Sequence, residues 1–180
     1  MLRRFLFVLL WVLATASSAQ SPPQSILVLG DSLSAAYGID QTLGWVSLLD
    51  QRLEEKSLPY RVINASISGD TTGGGRTRIA TALDTHQPAI VIVELGGNDG
   101  LRGLPLAEMR KNLAAIIAQC RQRKARVLLV GMRLPPNYGP HYTEKFQQMY
   151  AELAQRYRIP LVPFLLEGVA GNNDMMQPDG

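Results

Sequence analysis

Apolar positions in this chain come in short unbroken blocks rather than in strict alternation with polar ones. Ile26-Leu27-Val28-Leu29 is one such block and stops at Gly30. Tyr60 to Ile63, ending at Asn64, Ala89 to Leu95, ending at Gly96-Gly97, and Arg126 to Val130, ending at Gly131, repeat the form, and Leu161-Val162 suggests a short fifth. Continuous runs of this length predict strands buried on both faces. The intervening segments carry helical spacing instead. Trp45 to Lys56 aligns Trp45, Leu48, Leu49 and Leu53; Leu106 to Arg123 aligns Met109, Leu113, Ile116, Ile117 and Cys120; His141 to Tyr157 aligns Phe146, Met149, Tyr150 and Leu153. Thr77 to Thr85 reads as a weaker helix, led in by the flexible glycines 73 to 75.

Strand and helix in alternation imply right-handed crossovers and a parallel sheet covered on both faces. The expected fold class is α/β: a three-layer α/β/α sandwich whose flavodoxin-like sheet has about five parallel strands. The 180 residues suit one such domain over residues 26–180, and no internal repeat or second domain is evident.

Composition narrows the picture at the amino end. Arg3 and Arg4, the apolar run Phe5 to Leu13 and the small residues Ala14 to Ala19 have the form of a secretory signal peptide over residues 1–19, cleaved after Ala16 or Ala19. Residues 20–25, with Pro22 and Pro23, read as a polar linker. The expected location is therefore secreted or periplasmic, with no stable membrane insertion once the leader is removed. Loss of Arg3 and Arg4 would bring the net charge from +3 to +1, which offers no electrostatic case for nucleic acid as a partner. Hydrophobic residues at 46% exclude a disordered chain. Cys120 is the single cysteine, so no internal disulfide can form, and no Cys/His cluster has metal-ligand spacing.

In an open parallel sheet the site lies beyond the carboxyl ends of the strands. The segments there are Gly30-Asp31-Ser32-Leu33-Ser34, Asn64-Ala65-Ser66-Ile67-Ser68-Gly69-Asp70, Gly96-Gly97-Asn98-Asp99-Gly100 and Gly131 to Gly139, all rich in small and polar residues. A serine hydroxyl just past the first strand becomes a nucleophile only if a base takes its proton. The oxyanion it creates needs preorganised donors. The N–H near Ser32, the N–H of Gly69 and the uncharged side-chain amide of Asn98 supply donors of that kind if the loops converge. Taken alone, Ser32 reads equally well as a turn residue; the three segments in register favour the nucleophile. Asp31 and Asp99 read as orienting residues that bond nearby loop backbone. The glycines 73 to 75 lack the Lys-Ser/Thr of a phosphate loop.

Gly30-Asp31-Ser32-Leu33-Ser34, Asn64 to Gly69 with Asp70-Thr71-Thr72, and Gly96-Gly97-Asn98-Asp99 resemble the first three blocks of the SGNH, or GDSL, hydrolases. Asn64 to Thr71 and Arg133 to Gly139 are similar to stretches of the family's periplasmic acyl-CoA thioesterase, arylesterase and lysophospholipase subgroup. The resemblance covers residues 25–180. It implies hydrolysis of carboxylic esters or thioesters through an acyl-Ser32 intermediate, with Ser32, Gly69 and Asn98 around the oxyanion and no cofactor or metal. The partner it implies is a small acyl ester or thioester, lysophospholipid included.

The family's last block is Asp-x-x-His. Asp179 resembles its aspartate, so the histidine is expected at the third position after Asp179, beyond the printed sequence, with a terminal helix after it. His86 is expected at the amino edge of the sheet, opposite the site, and His141 is read as opening a helix on the correct side. Leu101, Leu104, Pro105, Leu106, Pro135, Pro136 and Tyr138 are expected either to form an apolar acyl groove or to pack loop on helix. The resemblance also implies that the segment after Asn98 moves over the acyl chain, a motion that Gly97, Gly100 and Gly103 would ease. Two alternatives to hydrolysis stand beside it: an inactive fragment that only binds acyl ligands, and a flavodoxin-like nucleotide-binding module on the same architecture.

Overall fold

Five apolar runs pair side by side in the computed structural model, which describes residues 23–176. They are β1 (Gln24–Gly30), β2 (Tyr60–Asn64), β3 (Ile90–Glu94), β4 (Arg126–Val130) and β5 (Leu161–Val162). All pairings are parallel and the order is β2-β1-β3-β4-β5. Ile26 lies opposite Val62 on one side and Ile90 on the other. The chain reverses its direction of travel across the sheet after β2, which places a crevice at the carboxyl ends of β1 and β3.

The connecting helices are α1 (Trp45–Glu55), α2 (Thr72–His86), α3 (Gly97–Leu101), α4 (Leu106–Gln122) and α5 (Pro140–Tyr157). Leu27, Leu29, Val91, Val93, Val127 and Leu129 point to one face of the sheet, where α2, α4 and α5 cover them. Ile26, Val28, Ile92 and Val130 point to the other, where α1 is the helix that packs among the described residues. The second layer is thus thinner than the first. No helix among the described residues is long and apolar enough to cross a membrane.

Three expectations change. The proposed linker ends earlier, because Gln24 and Ser25 already pair with Tyr60 and Arg61. Backbone bonds such as Gln24 N–H to the Pro59 carbonyl (2.9 Å) extend the strand without apolar side chains. On α1 the buried position is Val46, packed with Trp45, Leu49 and Leu53, whereas Leu48 is exposed. The helix before β3 begins at Thr72 rather than Thr77, so glycines 73 to 75 are helical rather than a flexible lead-in. Thr71 caps it, its hydroxyl accepting from the Gly74 N–H at 3.2 Å. Gly75 serves close packing there, since a Cβ would stand 2.3 Å from Leu95 Cδ1. The signal-peptide segment and Asp179 lie outside the described residues.

Candidate active site

The turn after β1 carries Ser32. Its backbone closes through Ala35 N–H to the Asp31 carbonyl (2.9 Å) and Tyr37 N–H to the Ser32 carbonyl (3.1 Å). The loop after β2 is laid against the end of β1, with Ala65 N–H donating to the Val28 carbonyl (2.9 Å) and Ile67 N–H to the Gly30 carbonyl (3.1 Å). Asn64 ties the same two loops from the side, its amide donating to the Ser34 carbonyl at 2.7 Å. Gly69 then takes a positive φ of +79°, a conformation that favours glycine.

The third segment joins through side chains. Asn98, in the first turn of α3, donates from Nδ2 to Asp31 Oδ2 at 3.1 Å, next door to Ser32. One amide hydrogen is used in that bond and the second remains for a substrate. Arg102, at the end of α3, donates to the Gly69 carbonyl at 2.9 Å. The segments bearing Ser32, Gly69 and Asn98 are thus bonded to one another at one rim. Among the described residues neither the Ser32 N–H nor the Gly69 N–H donates to another protein group.

Beneath this rim lie the buried polar side chains. Asp31 accepts the Leu33 N–H on Oδ1 (3.1 Å) as well as the Asn98 amide on Oδ2. Burial raises its carboxyl above the usual range, against those two bonds. Glu94, the last residue of β3, accepts the Ser34 hydroxyl at 2.6 Å and the Asp31 N–H at 3.3 Å, both on Oε2. Burial, and then the Asp31 charge, push its carboxyl up to about 8. Asp99 accepts the Thr72 N–H (2.8 Å) and hydroxyl (2.5 Å), joining α3 to the start of α2. Arg78, on α2, donates to the carbonyls of Ala65 and Gly30 and pairs with Asp70 at 2.7 Å.

The sequence motifs assign no role to Glu94, Arg78 or Arg102, and hold Thr72 only as a member of the second block. Glu94 had a visible signal, a carboxylate closing the most apolar strand in the chain. Arg78 and Arg102 show no local signal and, like the buried Thr72, are found through their partners. Asp31 bonds loop backbone as its position in the turn predicts, and its bond to the Asn98 amide is additional.

The remaining candidates lie outside this bonded cluster. Leu101, Leu104, Pro105 and Pro136 are exposed, whereas Leu106 packs on the core. The Tyr138 hydroxyl donates to the Leu101 carbonyl (2.9 Å), and Tyr142 makes the same kind of bond to Leu104 (3.2 Å). His86 ends α2 at the amino edge, where its carbonyl accepts the Ser25 hydroxyl. His141 is exposed in the first turn of α5. No cluster of three metal-binding side chains occurs among the described residues.

A parallel sheet with a serine turn, a positive-φ glycine and an amide-bearing helix start at one rim defines an acylhydrolase of the SGNH type. The chain belongs to the GDSL-like lipase/acylhydrolase family, whose model matches residues 28–180. It is 52% identical over 161 residues to Esterase TesA of Pseudomonas aeruginosa, covering 89% of this chain and 80% of that one. It is 41% identical over 176 residues to Thioesterase 1/protease 1/lysophospholipase L1 of Escherichia coli K12, covering 98% and 81%. The crystal structure of AlinE4, a SGNH-hydrolase family esterase, superposes with a TM-score of 0.84 at 44% identity, covering 90% and 87%.

Proposed function

We propose that the protein hydrolyses small carboxylic esters or thioesters through an acyl-Ser32 intermediate. The observation that carries this reading is the Asn98 amide held by Asp31, which joins the oxyanion donor to the residue beside the nucleophile. Ser32 Oγ attacks the acyl carbonyl carbon as a general base takes its proton. The Ser32 N–H, the Gly69 N–H and Asn98 Nδ2 hold the oxyanion. The tetrahedral adduct collapses, the alcohol or thiol departs with the proton, and water then cleaves the acyl-serine by the same path.

Leu101, Leu104, Pro105, Pro136 and Tyr138 would line the acyl groove, and lysophospholipid is a natural substrate to try. The amino-terminal apolar segment supports a secreted or periplasmic location, where nucleic acid is not a partner. The test is turnover of p-nitrophenyl acyl esters and acyl-CoA by the full-length protein and its Ser32→Ala variant. A fluorophosphonate probe should label Ser32 by mass spectrometry. Undiminished turnover by Ser32→Ala would end the reading.

A further inference from the structure

Glu94 is fully buried at the carboxyl end of β3, directly under the turn that carries Ser32. One of its oxygens, Oε2, accepts both the Asp31 N–H and the Ser34 hydroxyl, so it grips the turn immediately before and two residues after the proposed nucleophile. The other, Oε1, is buried without a protein partner. Space for the grip exists because residue 30 is glycine: a Cβ there would stand 2.5 Å from Ser34 Oγ and 2.8 Å from Glu94 Oε2.

We propose that Glu94, in its protonated form, is the positioning residue that holds the nucleophile turn and leaves Asp31 charged to orient Asn98. The inference rests on the reading of Ser32 as nucleophile. Geometry locates the proton. Both Asp31 oxygens accept N–H groups, from Leu33 and from Asn98, which suits a carboxylate. Glu94 has its two donors on one oxygen and leaves the other for a hydrogen. A second buried negative charge beneath the turn would oppose growth of the oxyanion above it.

The groups facing Glu94 agree with this assignment. Asp31 is the nearest charge and raises it. Asp70, on the loop after β2, and Asp99, on α3, act on Asp31 in the same direction. Tyr150, from α5, is pushed upward by its own burial and stays neutral while its hydroxyl donates to the Leu95 carbonyl. The Arg78 guanidinium is occupied at Gly30, Ala65 and Asp70.

The experiment compares kcat, KM and their pH profiles for wild type, Glu94→Ala and Glu94→Gln in the full-length protein, with fluorophosphonate labelling alongside. Glu94→Ala should lower kcat about 100-fold in folded protein, the scale of an ångström-sized misplacement, with KM within about twofold. Glu94→Gln, which keeps an acceptor for both donors but cannot ionise, should restore most of that loss at neutral pH. It should also lack the fall in kcat expected of wild type as pH rises through about 8, where Glu94 is expected to ionise. An alkaline fall of the same midpoint in Glu94→Gln would overturn the proposal, as would wild-type kcat in folded Glu94→Ala. If Glu94→Ala does not fold, the Glu94→Gln profile decides alone. Probe label on a residue other than Ser32 would instead defeat the nucleophile reading, which separates the two failures.

Discussion

Asp99→Ala is expected to be among the more damaging single changes near the site, although Asp99 is not itself placed against substrate. The Asp99 carboxylate closes two elements at once: its oxygens accept the N–H and the hydroxyl of Thr72, the first residue of α2, from the first turn of α3. Thr72 is fully buried and Asp99 nearly so, so water cannot readily replace the lost acceptor. A hydrogen bond to a charged acceptor contributes about 1.5–3 kcal/mol, and orphaned buried donors add their desolvation cost. Two such bonds put the loss at about 3–6 kcal/mol, with Asp99→Asn near half of that because one acceptor survives. For a domain of this size that is a fall of roughly 10–20 °C in melting temperature.

The assay is urea denaturation of wild type, Asp99→Ala, Thr72→Val and the double variant. The interaction energy in that cycle should be at least about 1.5 kcal/mol, since the pair shares a direct charged bond. Asn112, whose amide also reaches the Thr72 hydroxyl at 3.2 Å, should matter less, because that bond joins two neutral groups. A loss below about 1 kcal/mol for Asp99→Ala, or additive single variants, would refute the clamp.

Asn98→Ala should lower kcat by about 100-fold, near 3 kcal/mol, with a smaller effect on KM; an unchanged kcat for p-nitrophenyl esters would remove Asn98 from the oxyanion site. Glu94→Gln should stabilise the fold as pH rises. The Glu94 carboxyl is raised from 4.5 to about 8, so the folded state binds more protons than the unfolded across that window, and wild-type stability is fully present below pH 4.5 and declines toward about 8. Gln lacks that decline, and unfolding free energies at pH 8 should favour the variant by about 4 kcal/mol; equal wild-type stability at pH 5 and pH 8 would contradict this. Cys120 is fully buried on α4 and its thiol is pushed up to about 12 by that burial, so Ellman's reagent should react with it only after unfolding.

Sequence legibility tracked the length scale of the physics involved. The strands were readable because each is a local apolar run, and α4 and α5 because their buried faces repeat at helical spacing. Leu48 and Val46 are neighbouring apolar residues of α1, and periodicity cannot say which of two adjacent stripes meets the sheet; packing against Ile26 and Val28 selects Val46. The early start of α2 was hidden because its first turn is Gly-rich and is stabilised by Thr71 and by the distant Asp99. At the rim, Ser32, Gly69 and Asn98 were legible as motif residues. The bonds that gather them were not. Asp31 to Asn98 spans 67 positions of sequence and Ser34 to Glu94 spans 60, so neither leaves a local pattern.

The placement of polarity in the interior gives those bonds their meaning. Asp31, Ser34, Thr72, Glu94 and Asp99 are the buried polar or charged residues among those described, and each sits in or just beneath the loops that carry Ser32, Gly69 and Asn98. Elsewhere the core is apolar, from Leu27 on β1 to Leu153 on α5. Burying three carboxyl groups opposes folding, and apolar residues of similar volume would pack there with less penalty. Their directed bonds do what apolar contacts cannot. They fix the orientation of a turn, an amide and two helix starts relative to one another. A network of this kind is expected where geometry matters more than stability, which is why one variant, Glu94→Gln, should gain stability at pH 8 while losing the pH-dependent control of kcat. Finding both changes in that single substitution would tie the cost of the buried acid to the position of the proposed nucleophile.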